Sequence, residues 1–208
     1  MPSKYKLTYF TLRGLAEPIR YILAYRNIEF EDIRLDLDTW NSSVKQTSPF
    51  GKIPILEIDG KKLTQSRAIC RYLAKEAGLA GKDAWEDLQI DIIVDTIDDV
   101  RYAIVDYGYF SDEKSKAAKK GPLLNETIPF YFKKFDTIVS ENKGHLANKK
   151  LTWADIYFVA ISEHLSLMVE KDILESYPNL KALRKTVQAY PGIKKHIEKR
   201  PADINISF

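Results

Sequence analysis

Cysteine is almost absent from this sequence, which has one, Cys70, among 208 residues. A single cysteine cannot form a disulfide within the chain, and it cannot supply the paired thiols of a redox centre. Histidine is scarce as well, and His145, His164 and His196 stand too far apart in sequence to form a zinc pattern with that one cysteine. The sequence therefore argues against disulfide, dithiol and zinc chemistry.

Long apolar runs, low-complexity segments and an excess of one charge are lacking too. Nine glycines and nine prolines in a chain that is 45% hydrophobic and 29% charged argue against collagen-like repeats and extended disorder. No apolar run approaches the roughly 18 residues of a membrane span, and the segment from Met1 to Phe10 has no signal-peptide core. The net charge of +3 is mixed along the chain, which disfavours nucleic acid as a partner. We expect a globular cytoplasmic protein that binds neither nucleic acid nor membrane.

The first eighty residues contain an alternation of strand-like and helix-like patterns. Apolar residues alternate in the strand-like segments, and they recur every three or four residues in the helix-like segments. The predicted strands cover residues 6–10, 30–35, 55–58 and 61–64, and the predicted helices start at Leu15 and Ser66. Asp59 and Gly60 are a turn signal that predicts a hairpin of the last two strands. The order β, α, β, irregular, β, β, α is that of a thioredoxin-like domain, and we place that domain at residues 1–79.

The remainder of the chain predicts helices without strands. Gly78, Ala80 and Gly81 interrupt the earlier pattern and mark the boundary. An apolar stripe then predicts one long helix through Ile90, Ile93, Ile97, Val100 and Ile104. Further helical patterns cover residues 123–139, 152–169 and 179–189. The predicted fold is therefore an α/β thioredoxin-like domain followed by an all-helical bundle domain at residues 83–208.

The segment Pro49-Phe50-Gly51-Lys52-Ile53-Pro54 comes directly before the predicted hairpin. A proline at the start of a strand cannot donate to the sheet, so it leaves neighbouring backbone groups available. A cis bond between Ile53 and Pro54 would turn the backbone N–H and C=O of Ile53 outward as a receptor for a peptide. An ordinary turn explains the same residues.

Gln65 and Ser66 lie at the predicted start of a helix. The Ser66 hydroxyl, the first backbone N–H groups and the helix dipole together favour an anion at this point. No glycine-rich loop precedes these residues, so a small carboxylate fits better than a nucleotide. A plain helix N-cap is the alternative.

Five aspartates recur at helical spacing along the predicted long helix: Asp87, Asp91, Asp95, Asp98 and Asp99. Several of them should share one face, where like charges slightly destabilise a helix. A solvated acidic face accounts for this pattern. The alternative is a cationic partner, either basic groups of a second subunit or a hydrated divalent cation, with the last three aspartates as the tightest cluster.

Thr152 and Asp155 form a capping-box pattern at the start of another predicted helix, which gives Asp155 a structural role. His164, inside that helix, is better explained as a packed or surface side chain than as a catalytic base. Tyr9 stands near the end of the first predicted strand, where a tyrosine is usually a packing residue. In α/β sheets, however, this end of a strand borders the binding site, so Tyr9 is the leading candidate for a reactive side chain.

Several separated motifs, in this order along nearly the whole chain, resemble the cytosolic glutathione S-transferase family. They are Tyr5-Lys6-Leu7-Thr8-Tyr9-Phe10 with Arg13-Gly14 and Glu17, the segment from Pro49 to Leu56, Gln65-Ser66, and Leu151-Thr152-Trp153-Ala154-Asp155. The run from Ile93 to Asp99 and the pair Tyr9-Phe10 look like the sigma class, which includes the haematopoietic prostaglandin D synthases and many invertebrate transferases.

The resemblance implies a homodimer that uses glutathione as a co-substrate and needs no prosthetic group. The thioredoxin-like domain would bind glutathione, and the helical domain would shape an apolar pocket. Tyr9 would be the catalytic residue, because its hydroxyl would hold the glutathione sulfur as a thiolate. A charge-assisted bond of about 1.5–3 kcal/mol would lower the pKa of that thiol by about one to two units. The family also implies an optional Mg²⁺ at the dimer interface, near Asp95, Asp98 and Asp99.

The resemblance also implies the residues that surround this tyrosine. Ile53, before a cis Pro54, would pair its backbone with the cysteinyl unit of glutathione. Gln65 and Ser66 would hold the γ-glutamyl carboxylate, and Asp99 of the partner subunit would reach the γ-glutamyl amino group. The remaining implied glutathione contacts are Arg13, Trp40, Lys45 and Lys52. The implied apolar pocket is lined by Phe10, Leu15, Arg101, Tyr107, Tyr157 and Phe208.

The sequence departs from the vertebrate prostaglandin synthases at several points. Leu15 stands where they carry an arginine that assists thiolate formation, and Arg101 and Asp106 stand where they have apolar or aromatic residues. We expect conjugation of the glutathione thiolate to apolar electrophiles in detoxification, together with peroxidase activity on lipid hydroperoxides. The alternatives are a glutathione-dependent prostaglandin D isomerase and a non-enzymatic ligand carrier or crystallin. The intact motif at Tyr9 favours an enzyme.

Overall fold

The structure is a computed structural model that describes residues 3–203. By its internal contacts the described chain forms two compact units. The first comprises residues 3–78 and 189–203, and the second comprises residues 79–188. The predicted combination of a mixed-sheet, thioredoxin-like domain and an all-helical domain is confirmed.

The first unit contains a four-stranded sheet among the described residues, in the spatial order β2-β1-β3-β4. The strands are β1 (Tyr5–Phe10), β2 (Phe30–Leu35), β3 (Ile55–Ile58) and β4 (Lys61–Thr64). β2 runs parallel to β1, whereas β3 is antiparallel to both β1 and β4. Asp59 and Gly60 join β3 to β4 with φ values of 50° and 82°, as a tight hairpin turn requires. The predicted hairpin is confirmed.

Two helices, α1 (Glu17–Tyr25) and α4 (Ser66–Glu76), form the core of this unit together with the sheet. Leu7 of β1 lies opposite Leu56 of β3, and both side chains are fully buried. The apolar face of α1 and that of α4 are buried as well, at Ile19, Ile22, Leu23, Ile69 and Leu73. Each such side chain stabilises the fold by about 1.5–3 kcal/mol relative to exposure, so the alternating and helical patterns of the sequence define this core.

The predicted irregular region between β2 and β3 consists of single helical turns. They are α2 (Leu37–Thr39), a wide turn at Trp40–Val44, α3 (Lys45–Thr47) and a tight turn at Pro49–Gly51. Asp36 caps the first turn, because its Oδ1 accepts a hydrogen bond of 2.7 Å from the backbone N–H of Thr39. That bond from Thr39 lowers the pKa of the Asp36 carboxyl.

The second unit is built from helices. They are α5 (Ala84–Tyr109), α6 (Glu113–Pro122), α7 (Ile128–Glu141), α8 (Trp153–Met168) and α9 (Pro178–Gln188), with a wide turn at Leu123–Thr127 between α6 and α7. α5 packs along α8, most of whose side chains are buried. No helix in the described part of the chain has the length and apolarity that a membrane span needs.

The capping box at the start of α8 has the role that its sequence predicts. The backbone N–H of Thr152 donates to Asp155 Oδ2 over 2.8 Å, and the side chain of Thr152 caps the first turn in return. Asp155 is fully buried, and its Oδ1 also accepts the backbone N–H of Leu146 over 2.7 Å. The carboxylate thus satisfies donors that would otherwise be buried without partners, which confirms its structural role.

The last described helix, α10 (Pro191–Lys199), contacts α1 of the first unit. Gly192 permits a close approach, since a Cβ at that position would collide with the backbone oxygen of Ala24. The sequence predicts one helical domain at residues 83–208, whereas the contacts of the structure group residues 189–203 with the first unit. α10 has nine residues, and its partner lies far away in sequence, so no local pattern indicates this packing.

Candidate functional site

Tyr9 occupies the penultimate position of β1, and only 8% of the residue is exposed. Its hydroxyl oxygen accepts a hydrogen bond of 3.2 Å from the backbone N–H of Leu15, in the loop that follows the strand. Its ring lies 5.7 Å from that of Phe10, centroid to centroid. The phenol is therefore fixed at both ends, by ring packing and by a backbone donor.

Gly14 makes this arrangement sterically feasible. Its φ is +43°, a region that residues with a Cβ rarely adopt. A Cβ on Gly14 would lie 2.7 Å from the Tyr9 hydroxyl oxygen and 2.5 Å from Leu12 Cδ1. The loop can approach the phenol closely only because this residue is glycine. Gly14 belongs to the Arg13-Gly14 motif, but the sequence pattern does not predict this steric role.

Adjacent strand ends bring the other predicted residues to the same edge of the sheet. In the register, Thr8 pairs with Ile55, and Ile55 pairs with Thr64. Tyr9 follows Thr8, Pro54 precedes Ile55 and Gln65 follows Thr64, so all three predicted residues come together at one end of three neighbouring strands. The strand register therefore assembles residues that are far apart in sequence.

The peptide bond between Ile53 and Pro54 is cis, as the resemblance implied. Pro54 is buried and Ile53 is half-buried, while Lys52 before them is exposed. The Lys52 carbonyl accepts a hydrogen bond of 3.2 Å from Ser48 Oγ, which ties this segment to the preceding turn.

Gln65 adopts φ +69° directly before α4, and its side chain makes no capping hydrogen bond. Ser66 is the first residue of the helix and is 9% exposed. The alternative interpretation, a helix capped by one of these side chains, does not match the structure, since the Gln65 side chain makes no capping hydrogen bond. The first N–H groups of an α-helix have no partner within the helix, and together with the helix dipole they favour an anion.

An aromatic row extends from the sheet end toward the irregular region. Trp40 is 7% exposed, and its ring meets that of Phe10 edge to face at 6.0 Å. Phe10 thus lies between Trp40 and Tyr9 and is 7% exposed. Lys45 lies on the exposed side of α3, near Trp40 in sequence.

A buried ionic network supports the loop that follows β1. Arg20 of α1 is fully buried, and its Nη1 donates to the Leu12 carbonyl over 3.0 Å and to Glu17 Oε2 over 3.1 Å. Its Nε donates to Asp32 Oδ1 over 3.2 Å. One guanidinium therefore connects the loop, the helix and β2. The sequence gives no sign of this network, whose members have ordinary spacing.

Glu17 is the centre of the same network. It is fully buried, and its Oε1 lies 2.9 Å from His196 Nε2 and accepts a bond of 2.7 Å from Arg200 Nη1. Burial alone would raise the pKa of Glu17, but the hydrogen bond from His196 and the charges of Arg20 and Arg200 outweigh it. The pKa of Glu17 is consequently held well below its usual range.

Arg13, an expected glutathione contact, is engaged within the first unit. Its backbone N–H donates to Asp203 Oδ1 over 3.0 Å, and its Nε donates to the same oxygen over 3.3 Å. Leu15, expected in the apolar pocket, is half-buried in the same loop. Phe208, expected in that pocket too, lies outside the described residues.

The acidic cluster expected on α5 divides into buried and exposed members. Asp98 is 3% exposed, and its Oδ1 accepts hydrogen bonds from Arg101 Nε over 2.6 Å and from Tyr157 Oη over 2.8 Å. Asp95 and Asp99 are exposed. Asp98 therefore does not share their solvated face. Among residues 3–203 no group of three or more acidic, histidine or cysteine side chains is placed to hold a metal ion.

Arg101 and Tyr157, expected in the apolar pocket, are the partners of that buried aspartate. Tyr157 is fully buried and Arg101 is 6% exposed. Burial opposes the charge of Arg101, but the hydrogen bond to Asp98 outweighs it and raises the pKa of the guanidinium. Both side chains thus contribute to the interior of the helical unit. Tyr107 is half-buried on the same helix.

A cavity of about 690 Å³ in the first unit lies away from these residues. It is lined by β4 and by α4, including Leu63, Ile69 and Tyr72. None of the site residues predicted from the sequence lines this cavity. We assign the candidate site to the sheet end at Tyr9, because the Tyr9 hydroxyl, the segment before β3 and the start of α4 come together there.

Comparison with known proteins gives matches along both units. Residues 5–75 match the family described as "Glutathione S-transferase, N-terminal domain", and residues 98–200 match "Glutathione S-transferase, C-terminal domain". "Glutathione S-transferase S1" of Drosophila melanogaster is 48% identical over 197 residues, which cover 95% of this chain and 79% of that protein. "Hematopoietic prostaglandin D synthase" of Gallus gallus is 45% identical over 201 residues, which cover 97% and 98% of the two chains.

Solved structures give the same result. The structure of prostaglandin synthase D of Nilaparvata lugens has a TM-score of 0.91 and 49% identity, and the match covers 96% of this chain and 99% of that one. A structure described as monomeric Na-GST-3 of the hookworm Necator americanus has a TM-score of 0.79 and 36% identity, covering 99% and 100%. The resemblance drawn from the sequence motifs is confirmed.

Proposed function

The chain belongs to the glutathione S-transferase family and is an enzyme of that family, and we propose that Tyr9 is the residue that activates the thiol of glutathione. The family uses glutathione as a co-substrate and binds electrophilic substrates. The observation that supports the proposal is the position of Tyr9 at the sheet end where Pro54 and Gln65 also lie.

The tyrosine hydroxyl has the right chemistry for this role. A phenol can accept hydrogen bonds and donate one of its own. In this chain its oxygen accepts the Leu15 N–H, and an accepted bond strengthens the bond that the same group donates. Donation to the glutathione sulfur favours the thiolate. A contact of about 1.5–3 kcal/mol lowers the thiol pKa from about 8.5 by about one to two units.

Glutathione would lie along the edge of the sheet with its thiol at Tyr9. We place its cysteinyl backbone on Ile53 beside Pro54, where a short strand-like pairing is feasible, and its γ-glutamyl carboxylate at Gln65 and Ser66. The start of α4 supplies a dipole that favours a carboxylate there. The glycyl end would lie near Trp40, Lys45 and Lys52, two of which are exposed cations. Arg13 remains a further proposed contact of glutathione.

We propose that the second substrate is an apolar electrophile, with lipid hydroperoxides as peroxidase substrates. Phe10 and Leu15, which contact Tyr9 in the first unit, remain proposed contacts of that substrate. Glutathione-dependent prostaglandin isomerisation is the second candidate, because relatives of 45% and 49% identity are named as prostaglandin synthases. Product analysis with a prostaglandin endoperoxide separates the two reactions, since isomerisation returns glutathione unchanged and conjugation consumes it.

We further propose a homodimer in which Asp99 of one copy reaches glutathione bound to the other. Asp99 is exposed, as this role requires. An interface Mg²⁺ would use Asp95 and Asp99, because Asp98 is committed to Arg101 and Tyr157. Sedimentation should give twice the 23.9 kDa of the chain, and a monomer at micromolar concentration would refute the role of Asp99. The cytoplasmic location stays a prediction, which cell fractionation tests.

The experiment that tests the role of Tyr9 is the thiolate absorbance of enzyme-bound glutathione against pH. In the Tyr9→Phe variant the thiol pKa should rise by about one to two units, with a fall of about 10–100-fold in kcat/KM near pH 6.5. Tyr25→Phe is the matched control, since Tyr25 lies in the same unit with its ring against Tyr190. Equal titration of wild type and Tyr9→Phe would show that another group activates the sulfur.

A further inference from the structure

The chain beyond α10 returns to the loop that follows β1. Asp203 is the last described residue, and its side chain is 13% exposed. Its Oδ1 accepts a hydrogen bond of 3.0 Å from the backbone N–H of Arg13. Both carboxylate oxygens lie 3.3 Å from Arg13 Nε. One carboxylate thus holds both the main chain and the side chain of a single loop residue.

The segment that carries Asp203 is itself anchored in the first unit. Arg200 Nη1 donates to Glu17 Oε1 over 2.7 Å and to Tyr21 Oη over 3.3 Å, and His196 Nε2 lies 2.9 Å from the same Glu17 oxygen. Glu17 is fully buried at the start of α1. The contacts therefore fix both ends of the loop, at Arg13 on one side and at Glu17 on the other.

The loop between these two anchors contacts the phenol of Tyr9. Leu15 donates its N–H to the Tyr9 hydroxyl over 3.2 Å, and Gly14 lies against the same oxygen. We infer that Asp203 is a positioning residue for Tyr9, because it holds Arg13 and through it the loop that carries the Leu15 donor. The inference rests on the proposed function of Tyr9.

A carboxylate suits this position better than an amide of the same shape. Ionised aspartate places a negative charge beside the Arg13 guanidinium, with both of its oxygens 3.3 Å from Nε, while its Oδ1 also accepts the backbone N–H. Asparagine keeps one acceptor oxygen but is neutral, and its N–H₂ group would stand where the second carboxylate oxygen now faces Arg13 Nε. Asp203→Asn should therefore loosen the loop with little change in volume.

The test compares Asp203→Asn with Asp172→Asn in the full-length enzyme. Asp172 accepts two hydrogen bonds from Arg184, at 2.9 and 2.8 Å, in the second unit, so its substitution also breaks a carboxylate–arginine pair. We expect Asp203→Asn to raise the pKa of the bound thiol and to lower kcat/KM near pH 6.5 roughly three- to tenfold. This loss is smaller than the factor of about 100 that a 1 Å misplacement of a reacting group can cost. The loss should shrink at pH 9, where the thiol ionises without help. Asp172→Asn should keep the wild-type titration.

Asp203→Glu provides a rescue, since it restores the charge and both acceptor oxygens, and it should recover most of the pH profile. An unchanged thiol titration in Asp203→Asn, with wild type still showing a lowered thiol pKa, would overturn the inference and leave the role of Tyr9 intact. A wild-type enzyme with no lowered thiol pKa would overturn the proposed function itself. A loss that is equal at all pH values would also contradict positioning, because it would indicate a general loss of folded enzyme.

Discussion

Replacing Gly14 with alanine is the most direct test of how the loop positions Tyr9. The added Cβ would stand 2.7 Å from the phenolic oxygen, and ordinary contacts begin near 3.4 Å, so the oxygen or the loop must retreat by about 0.7 Å. The φ of +43° adds a backbone penalty of about 1–2 kcal/mol for a residue with a Cβ. Overpacking against Leu12 and Tyr9 adds about 1–3 kcal/mol.

We expect Gly14→Ala to lose about 2–5 kcal/mol of unfolding free energy and about 10–100-fold in kcat/KM, since a shift approaching 1 Å at a reacting group can cost about 100-fold. Urea unfolding measures the first quantity, and conjugation of an activated aryl halide at pH 6.5 measures the second. The titration of bound glutathione should move toward that of the free thiol.

Gly78→Ala is the matched control, because Gly78 has φ +69° and no atom within 4 Å of its Cβ position. It should lose stability through the backbone alone, by about 1–2 kcal/mol, with kcat/KM unchanged. If Gly14→Ala keeps kcat/KM within about twofold of this control, the close approach to Tyr9 does not position the phenol, and the reasoning fails.

Two further substitutions test the buried charges. The lowered pKa of Glu17 means that, between about pH 5 and 3, this carboxyl is protonated in the unfolded chain but stays ionised in the folded chain, so wild type loses stability as the pH falls. In the Glu17→Gln variant the unfolding free energy should therefore fall less steeply over this range. Equal slopes in urea titrations of the two proteins would contradict the network. Asp98→Asn should cost about 3–5 kcal/mol in urea unfolding, since it leaves Arg101 buried without its counter-charge, while Asp95→Asn on the exposed face should cost less than about 0.5 kcal/mol.

Much of the first unit could be predicted because its signals are local. The alternation in β1 and the Asp59-Gly60 turn each act within a few residues, and the strand register then brings Tyr9, Pro54 and Gln65 together. Each of these residues lies directly beside the end of a predicted strand, so the sequence indicates that they lie at the same edge of the sheet. The fold around this edge of the sheet therefore follows from local patterns in the sequence.

The supporting contacts could not be predicted, since they join residues that are far apart in sequence. Arg200 meets Glu17 across 183 positions, and Asp203 meets Arg13 across 190. Nothing in the local pattern of either end indicates the other. Asp98 shows a different limit of prediction from sequence. Helical spacing suggests that it shares a face with the other aspartates of α5, but in the structure it faces Tyr157 and is buried, whereas the adjacent Asp99 is exposed.

The course of the chain makes the helical unit an insertion, since the first unit is left at residue 78 and entered again at residue 189. During synthesis, β1 and α1 leave the ribosome long before α10 is made. Glu17 can therefore form its contacts with His196 and Arg200 only when the chain is nearly complete. The domain that bears Tyr9 is thus completed last, although its sequence starts first. A fragment that ends at residue 78 should lack this support, and a transplant of the domain into another protein would have to carry residues 189–203 along as a separate segment.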